Sequence, residues 1–209
     1  RVKDVLGERE VERGASRVGS STYRWDDFGR VTSRDDLTVA YGPNGEISTA
    51  TRANRKLRYH YDGDNQRVLK TVNGVPERAW VAGGVLTQTS LYLPVLIEDI
   101  LVGVLENGTF RPVIADGRGT TTTSLAGATN LATPYGARAS RDAFSEVVDF
   151  TQLGYDADLG TIRMGARDYD PKLGQFWAPD PLFLENLAAC QESPVECGLY
   201  GYARNNTLS

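Results

Sequence analysis

Four aromatic-led turns recur in the first half of the chain and constrain its fold more than any other feature. They are Trp25-Asp26-Asp27-Phe28-Gly29-Arg30-Val31, Tyr41-Gly42-Pro43-Asn44-Gly45-Glu46-Ile47, Tyr61-Asp62-Gly63-Asp64-Asn65-Gln66-Arg67-Val68 and the degenerate Trp80-Val81-Ala82-Gly83-Gly84-Val85-Leu86. In each, a Gly or Asn stands four residues after the aromatic and an apolar residue follows. The leading aromatics are 16, 20 and 19 residues apart, which fits two short strands and two turns per unit. The aromatic ends a strand and covers the turn, Asp, Asn and Pro suit the first turn positions, and Gly or Asn accepts a positive φ. Val31, Ile47 or Val68 then starts the return strand as an apolar β-former.

Between the turns the sequence alternates as strands do, as in Leu57-Arg58-Tyr59-His60-Tyr61. The second half carries a tighter pair: Tyr155-Asp156-Ala157-Asp158-Leu159-Gly160-Thr161-Ile162 is echoed 14 residues later by Tyr169-Asp170-Pro171-Lys172-Leu173-Gly174-Gln175-Phe176. Residues 91–110 read as apolar strands, and 116–123 as a Gly/Thr-rich turn feeding another. The best helical window, 140–150, mixes charges and aromatics without a clean period. The expectation is an all-β chain forming one continuous structure of antiparallel hairpins. It divides into a polar lead-in (1–22), repeat strands (23–150) and a C-terminal region (151–209).

Composition removes several function classes. A net charge of −4 gives no electrostatic reason to expect a nucleic-acid partner. One His and two Cys are too few for most zinc sites, and a Ser-His-Asp triad would depend on His60 alone. The greasiest run, 91–105, contains Pro94, Glu98 and Asp99 and is too short and too charged for a membrane span. Neither metal nor cofactor is expected. The first residue is Arg1 and the chain stops after Asn205-Asn206-Thr207-Leu208, so a piece of something longer is expected, although a processed product would look the same.

The Tyr-Asp-led units resemble YD repeats, the building block of Rhs proteins, bacterial Tc toxin cocoons and teneurin shells. The stretch from Gly154-Tyr155 to Pro181-Leu182-Phe183 resembles the Rhs-associated core region, with Ala166-Arg167-Asp168-Tyr169-Asp170-Pro171 and Pro179-Asp180-Pro181 within it. The closing Leu199-Tyr200-Gly201-Tyr202-Ala203-Arg204-Asn205-Asn206 is similar to that family's Leu-Tyr-x-Tyr-x-x-Asn-Asn pattern. The resemblance implies a segment of a spiralling Rhs-type β-cocoon shell that encloses a C-terminal toxin. Its partners would be the rest of the shell polypeptide and the enclosed toxin domain, made in a bacterial cytoplasm and secreted or delivered to target cells. Leu182-Phe183 stands where many members have a residue and then Gly, and 184–196 reads as an insert.

Several branches of the family end in a self-cleaving aspartyl site built from two Asp-Pro motifs, and Asp180-Pro181 is similar to the first. One carboxylate cannot share a proton with itself, so a catalytic Asp180 needs a partner outside this chain. Asp-Pro is also a common turn dipeptide, and both readings stay open. Asp168 and Asp170 are assigned to the repeat turn. Cys190 and Cys197 either form a short-loop disulfide or remain as two thiols. The Asp-rich turns (Asp26, Asp27; Asp62, Asp64; Asp156, Asp158) invite a calcium reading but lack the EF-hand and nonapeptide spacings. The aromatic series suits packing between strands, with sugar stacking as the alternative. Three functions compete: shell segment, half of an aspartyl autoprotease, and surface adhesion or carbohydrate-binding module.

Overall fold

The computed structural model describes residues 2–4, 7–12, 15–123, 131–141, 144–181 and 198–207, with side chains from residue 16 onward. Cys190, Cys197 and the insert at 184–196 lie outside the described residues. The chain is all-β. Fourteen strands form one antiparallel sheet in sequence order. They are β1 (Val2–Asp4), β2 (Gly7–Glu12), β3 (Ala15–Val18), β4 (Ser21–Trp25), β5 (Val31–Arg34), β6 (Leu37–Tyr41) and β7 (Ile47–Arg52). The meander continues through β8 (Arg55–Tyr61), β9 (Arg67–Val72), β10 (Val75–Val81), β11 (Gly84–Thr87), β12 (Leu91–Ile97), β13 (Ile100–Glu106) and β14 (Thr109–Pro112). Two small sheets follow: β15 (Ile114–Ala115) with β16 (Thr121–Thr123), and β17 (Tyr155–Asp156), β18 (Thr161–Met164), β19 (Arg167–Asp170) and β20 (Gln175–Phe176). Among the described residues, the single continuous structure expected from sequence is thus three sheets. The chain leaves the large sheet at Pro112, and residues 144–177 fold back over one face.

The turns explain the meander. At one end of β4–β9, two-residue turns join Arg34 to Leu37, Arg52 to Arg55 and Val72 to Val75. At the other end are the aromatic-led turns, where Gly29, Gly45 and Asn65 take the positive φ. The Asp26 Oδ1 accepts the Phe28 and Arg30 N–H groups at 3.1 and 2.8 Å, and Asp62 Oδ1 does the same for Asp64 and Gln66 at 3.0 and 2.9 Å. A bulge at each aromatic sets Trp25 opposite Val31, Tyr41 opposite Ile47 and Tyr61 opposite Arg67. The Tyr41 hydroxyl donates to the Val31 carbonyl at 2.7 Å, and that of Tyr61 to Ile47 at 2.8 Å. Each of these tyrosines is thereby tied to the preceding repeat.

Two sequence expectations are corrected. The return strand of the third unit begins at Arg67, which takes the buried slot of Val31 and Ile47, while Val68 is only half-buried. The bulge counts residues from the aromatic, so the inward position falls on Arg67 irrespective of its polarity. The fourth unit has no long turn: Ala82 and Gly83, both at positive φ, make a two-residue hairpin, and Gly84 already belongs to β11.

On the covered face, Tyr23, Val31, Leu37, Val39, Ile47, Ala50, Leu57 and Tyr59 pack against Leu159, Leu173 and Trp177. Farther along, Val85, Leu101 and Val104 meet Val147 and Val148. The C-terminal part holds its own aromatic cluster of Phe150, Tyr169 and Phe176 around Tyr202. The opposite face of β6–β8 presents Thr38, Lys56, Arg58 and His60 to solvent. This alternation predicts a sharp contrast in urea unfolding. Leu57→Ala should cost about 2–5 kcal/mol, Tyr41→Phe about 1 kcal/mol, and Thr38→Ala within about 0.5 kcal/mol of nothing.

Candidate functional site

The Asp of each YD turn in the C-terminal sheet has two tasks. Asp156 Oδ1 accepts the Asp158 and Leu159 N–H groups, and Asp170 Oδ1 accepts those of Lys172 and Leu173, at 2.9 to 3.3 Å. The other carboxylate oxygen points at the large sheet. Asp170 Oδ2 receives the Tyr23 hydroxyl at 2.9 Å, the Trp177 indole N–H at 3.1 Å and Arg34 at 3.3 Å. Asp156 Oδ2 receives the Tyr59 hydroxyl at 2.9 Å and Arg67 at 3.4 Å, while Lys70 Nζ bonds Oδ1 at 3.1 Å.

The two clamps are copies of one arrangement. Tyr23 pairs across strands with Arg34, and Tyr59 with Lys70. The intervening unit places Val39 opposite Ala50 at the same register. The covered face therefore runs ionic, apolar, ionic. Arg67 adds a 3.0 Å bond to Asp168, which Arg163 also holds at 3.0 Å. Lys70, at 0% exposure, further reaches Asp158 at 2.6 Å and Glu77 at 3.4 Å. Burial favours protonation of Asp156, but Lys70 and Arg67 outweigh it and hold the carboxyl down to about 2. Burial and the neighbouring carboxylates push the Tyr23 and Tyr59 hydroxyls well above their ordinary value, so both remain donors.

Asp180 lies at the end of the same small sheet. Its carboxylate meets Arg167 of β19 at 2.7 Å, and its N–H donates to the Leu199 carbonyl at 2.9 Å. Arg167 also reaches the Leu199 carbonyl at 3.3 Å. Burial pulls the Arg167 guanidinium below its ordinary value, against the attraction of Asp180. The Tyr200 hydroxyl donates to the Gly29 carbonyl at 2.8 Å, which anchors this segment on the first aromatic-led turn. The result is a groove of about 830 Å³ with Asp180, Arg167 and Tyr200 on one side and the turns at 27–30 and 42–45 on the other. The Asp-Pro motif and the Leu-Tyr motif, separated in sequence by the insert, therefore form one wall. Arg167 was not singled out by the sequence reading; its position in the run Ala166-Arg167-Asp168-Tyr169 was the available signal.

Of the other candidates, His60 is exposed on the uncovered face. Asp168 and Asp170 sit on β19 and are buried members of the ionic seam, so their role extends beyond the repeat turn to which they were assigned. In the Asp-rich turns, Asp26 and Asp62 accept turn N–H groups, Asp26 also pairs with Arg30 at 2.9 Å, and Asp158 pairs with Arg55 at 3.0 Å. The leading aromatics Tyr41 and Tyr61 are packed and hydrogen-bonded between repeats, whereas Trp80 borders a cavity.

No protein-family model matches the sequence, and neither does any curated protein. Solved structures do match. A chain in the Tc holotoxin pore of Photorhabdus luminescens aligns at 17% identity with a TM-score of 0.64, over 88% of this chain and 10% of that one. A chain of TcdB2-TccC3 aligns at 16% identity and a TM-score of 0.63, over 96% of this chain and 13% of that one. At this identity the likeness shows the fold. The present chain spans about a tenth of the length of the chains it matches.

Two outcomes follow from the seam. Arg67→Ile restores the apolar residue of the other repeats but strands buried carboxylates, and should cost about 3–5 kcal/mol in urea unfolding. Because the folded Asp156 carboxyl titrates below its unfolded value near 3.9, its contribution is complete above about pH 4 and disappears as pH falls toward 2. Unfolding free energy measured in pH steps should fall through that window, and Asp156→Asn should flatten the fall.

Proposed function

We propose that this chain is a wall segment of a toxin-enclosing shell. Its role is encapsulation: a meandering sheet keeps a harmful cargo away from the bacterial cell that makes and exports it. The observation that carries this reading is a sheet built to be continued. Strand β14 closes the meander with every residue of Thr109–Pro112 exposed. Phe110 on this strand, Ile114 just after it, Ile100 on the neighbouring β13 and Leu96 and Ile97 on β12 are all exposed. An uncovered edge flanked by apolar side chains is an association surface rather than a finished boundary. The Tc toxin chains with the same fold are far longer, as a wall that closes around a protein domain must be. The partners under this reading are the remaining shell polypeptide and the enclosed C-terminal toxin.

The Asp180 groove favours a second reading, that the chain contributes one carboxylate of a self-cleaving aspartyl pair. The Arg167 guanidinium bonds the Asp180 carboxylate at 2.7 Å and fixes it at the wall of the groove. The partner acid would come from sequence beyond Ser209.

Two measurements test these readings. Light scattering on the purified chain should show concentration-dependent self-association; a monodisperse monomer would count against the wall reading. For the second, a chain extended past Ser209 through the next Asp-Pro should be cut in the wild type and stay whole with Asp180→Asn. Equal cutting in both removes Asp180 from the chemistry.

A further inference from the structure

Within β9–β14, Val85, Leu101 and Val104 face the folded-back segment and are buried. Residues paired directly across strands share a face, so the register identifies what the other side carries. One row there is Leu69, Ala79, Leu86 and Leu91. The next is Leu93, Leu105 and Phe110, and the pair Ile97–Ile100 lies at the hairpin end. None of these residues is charged, yet Leu86, Leu91, Ile97, Ile100 and Phe110 are all exposed. Two glycines keep this face flat: Leu93 lies over Gly84 and Phe110 over Gly103, where a Cβ would collide with them.

Strand β12 is apolar on both sides, and so is β13 up to Glu106, which is the pattern of strands covered on both faces. A contiguous apolar patch of this kind marks an interaction surface. Its cover must be flat, apolar and uncharged, and this chain itself supplies such a face. In a chain of net charge −4, an identical copy can approach this face without like charges meeting. Two antiparallel sheets then pack with their apolar sides interdigitated. Beyond the patch the same side turns cationic, with Lys56 and Arg58 exposed on β8. A two-fold axis along the strands overlaps the patches and sends these cations past the other copy's β14. An axis across the strands would stack them on one another. We propose that the uncovered face of β9–β14 docks a second copy of this chain, sheet against sheet, about a two-fold axis along the strands. The surface stands independently of the shell reading, because it uses the face of the sheet and not its edge.

The test is analytical sedimentation of the full chain over a range of concentrations. The expected species is a closed dimer of twice the 22.8 kDa chain mass, with nothing larger as concentration rises. Leu86→Lys and Leu86→Glu should each weaken that dimer at least about tenfold. Mixing the two variants should restore it, since opposite charges then meet within the patch, and recovery shows that both variants are folded. Lys56→Glu, on the same side but outside the patch, should leave the dimer in place. A monomer at every concentration overturns the proposal, as does a dimer that both Leu86 variants leave unchanged or a variant mixture that stays monomeric. An open series of larger species overturns it as well; that result assigns association to the β14 edge and leaves the shell reading standing.

Discussion

The structure depends on how two buried carboxylates are neutralised. Asp156 and Asp170 must turn the chain in the small sheet and also survive transfer away from water. They do so because the large sheet offers each a tyrosine hydroxyl and a cation from facing strands. Such a seam is a weak source of net stability, since desolvation offsets most of the attraction. Its consequence is register. Slipping β4, β5, β8 or β9 by one residue against its neighbour would carry its tyrosine or cation to the solvent face and leave a buried carboxylate without that partner. The apolar Val39–Ala50 step between the clamps supplies burial without competing for register.

The Asp180 groove inherits its geometry from this seam. Strand β19 carries Asp168 and Asp170 into the ionic layer, and Arg167 at its start toward Asp180. The segment 198–202 is then held by the Phe176 N–H on the Tyr200 carbonyl and by Tyr202 in the aromatic cluster. Docking of the small sheet therefore sets where the Asp180 carboxylate stands relative to the first two aromatic-led turns. Asp149, buried between Arg138 and Arg141, ties the preceding segment down in a similar way. Burial raises its carboxyl despite the two guanidinium groups, which marks a tighter desolvation balance there than at Asp156.

Much of the local structure was legible because turns are short-range chemistry. An Asp that caps its own turn and a residue that accepts a positive φ act within five positions, and Gly29, Gly45 and Asn65 behave accordingly. The third repeat shows where that legibility stops. By polarity Val68 was the natural inward residue, yet the bulge at Tyr61 delivers Arg67, whose charge is tolerable only because Asp156 and Asp168 arrive from about a hundred residues away. Lys70 is hidden for the same reason: nothing in Arg67-Val68-Leu69-Lys70 says that its ammonium is buried. The fourth unit was misread because Gly83-Gly84 satisfies either a long or a two-residue turn, and only strand pairing distinguishes them.

The sequence by itself determined the repeat, the hairpin alternation, the turn chemistry and the all-β class, since each rests on neighbours within a few residues. Tertiary structure alone decided that the chain leaves the large sheet at Pro112 and returns over its face, because that return is stabilised by contacts between residues far apart in sequence. It also decided which charged side chains are buried, since a cation is stable away from water only beside a carboxylate that the fold, not the local sequence, brings to it.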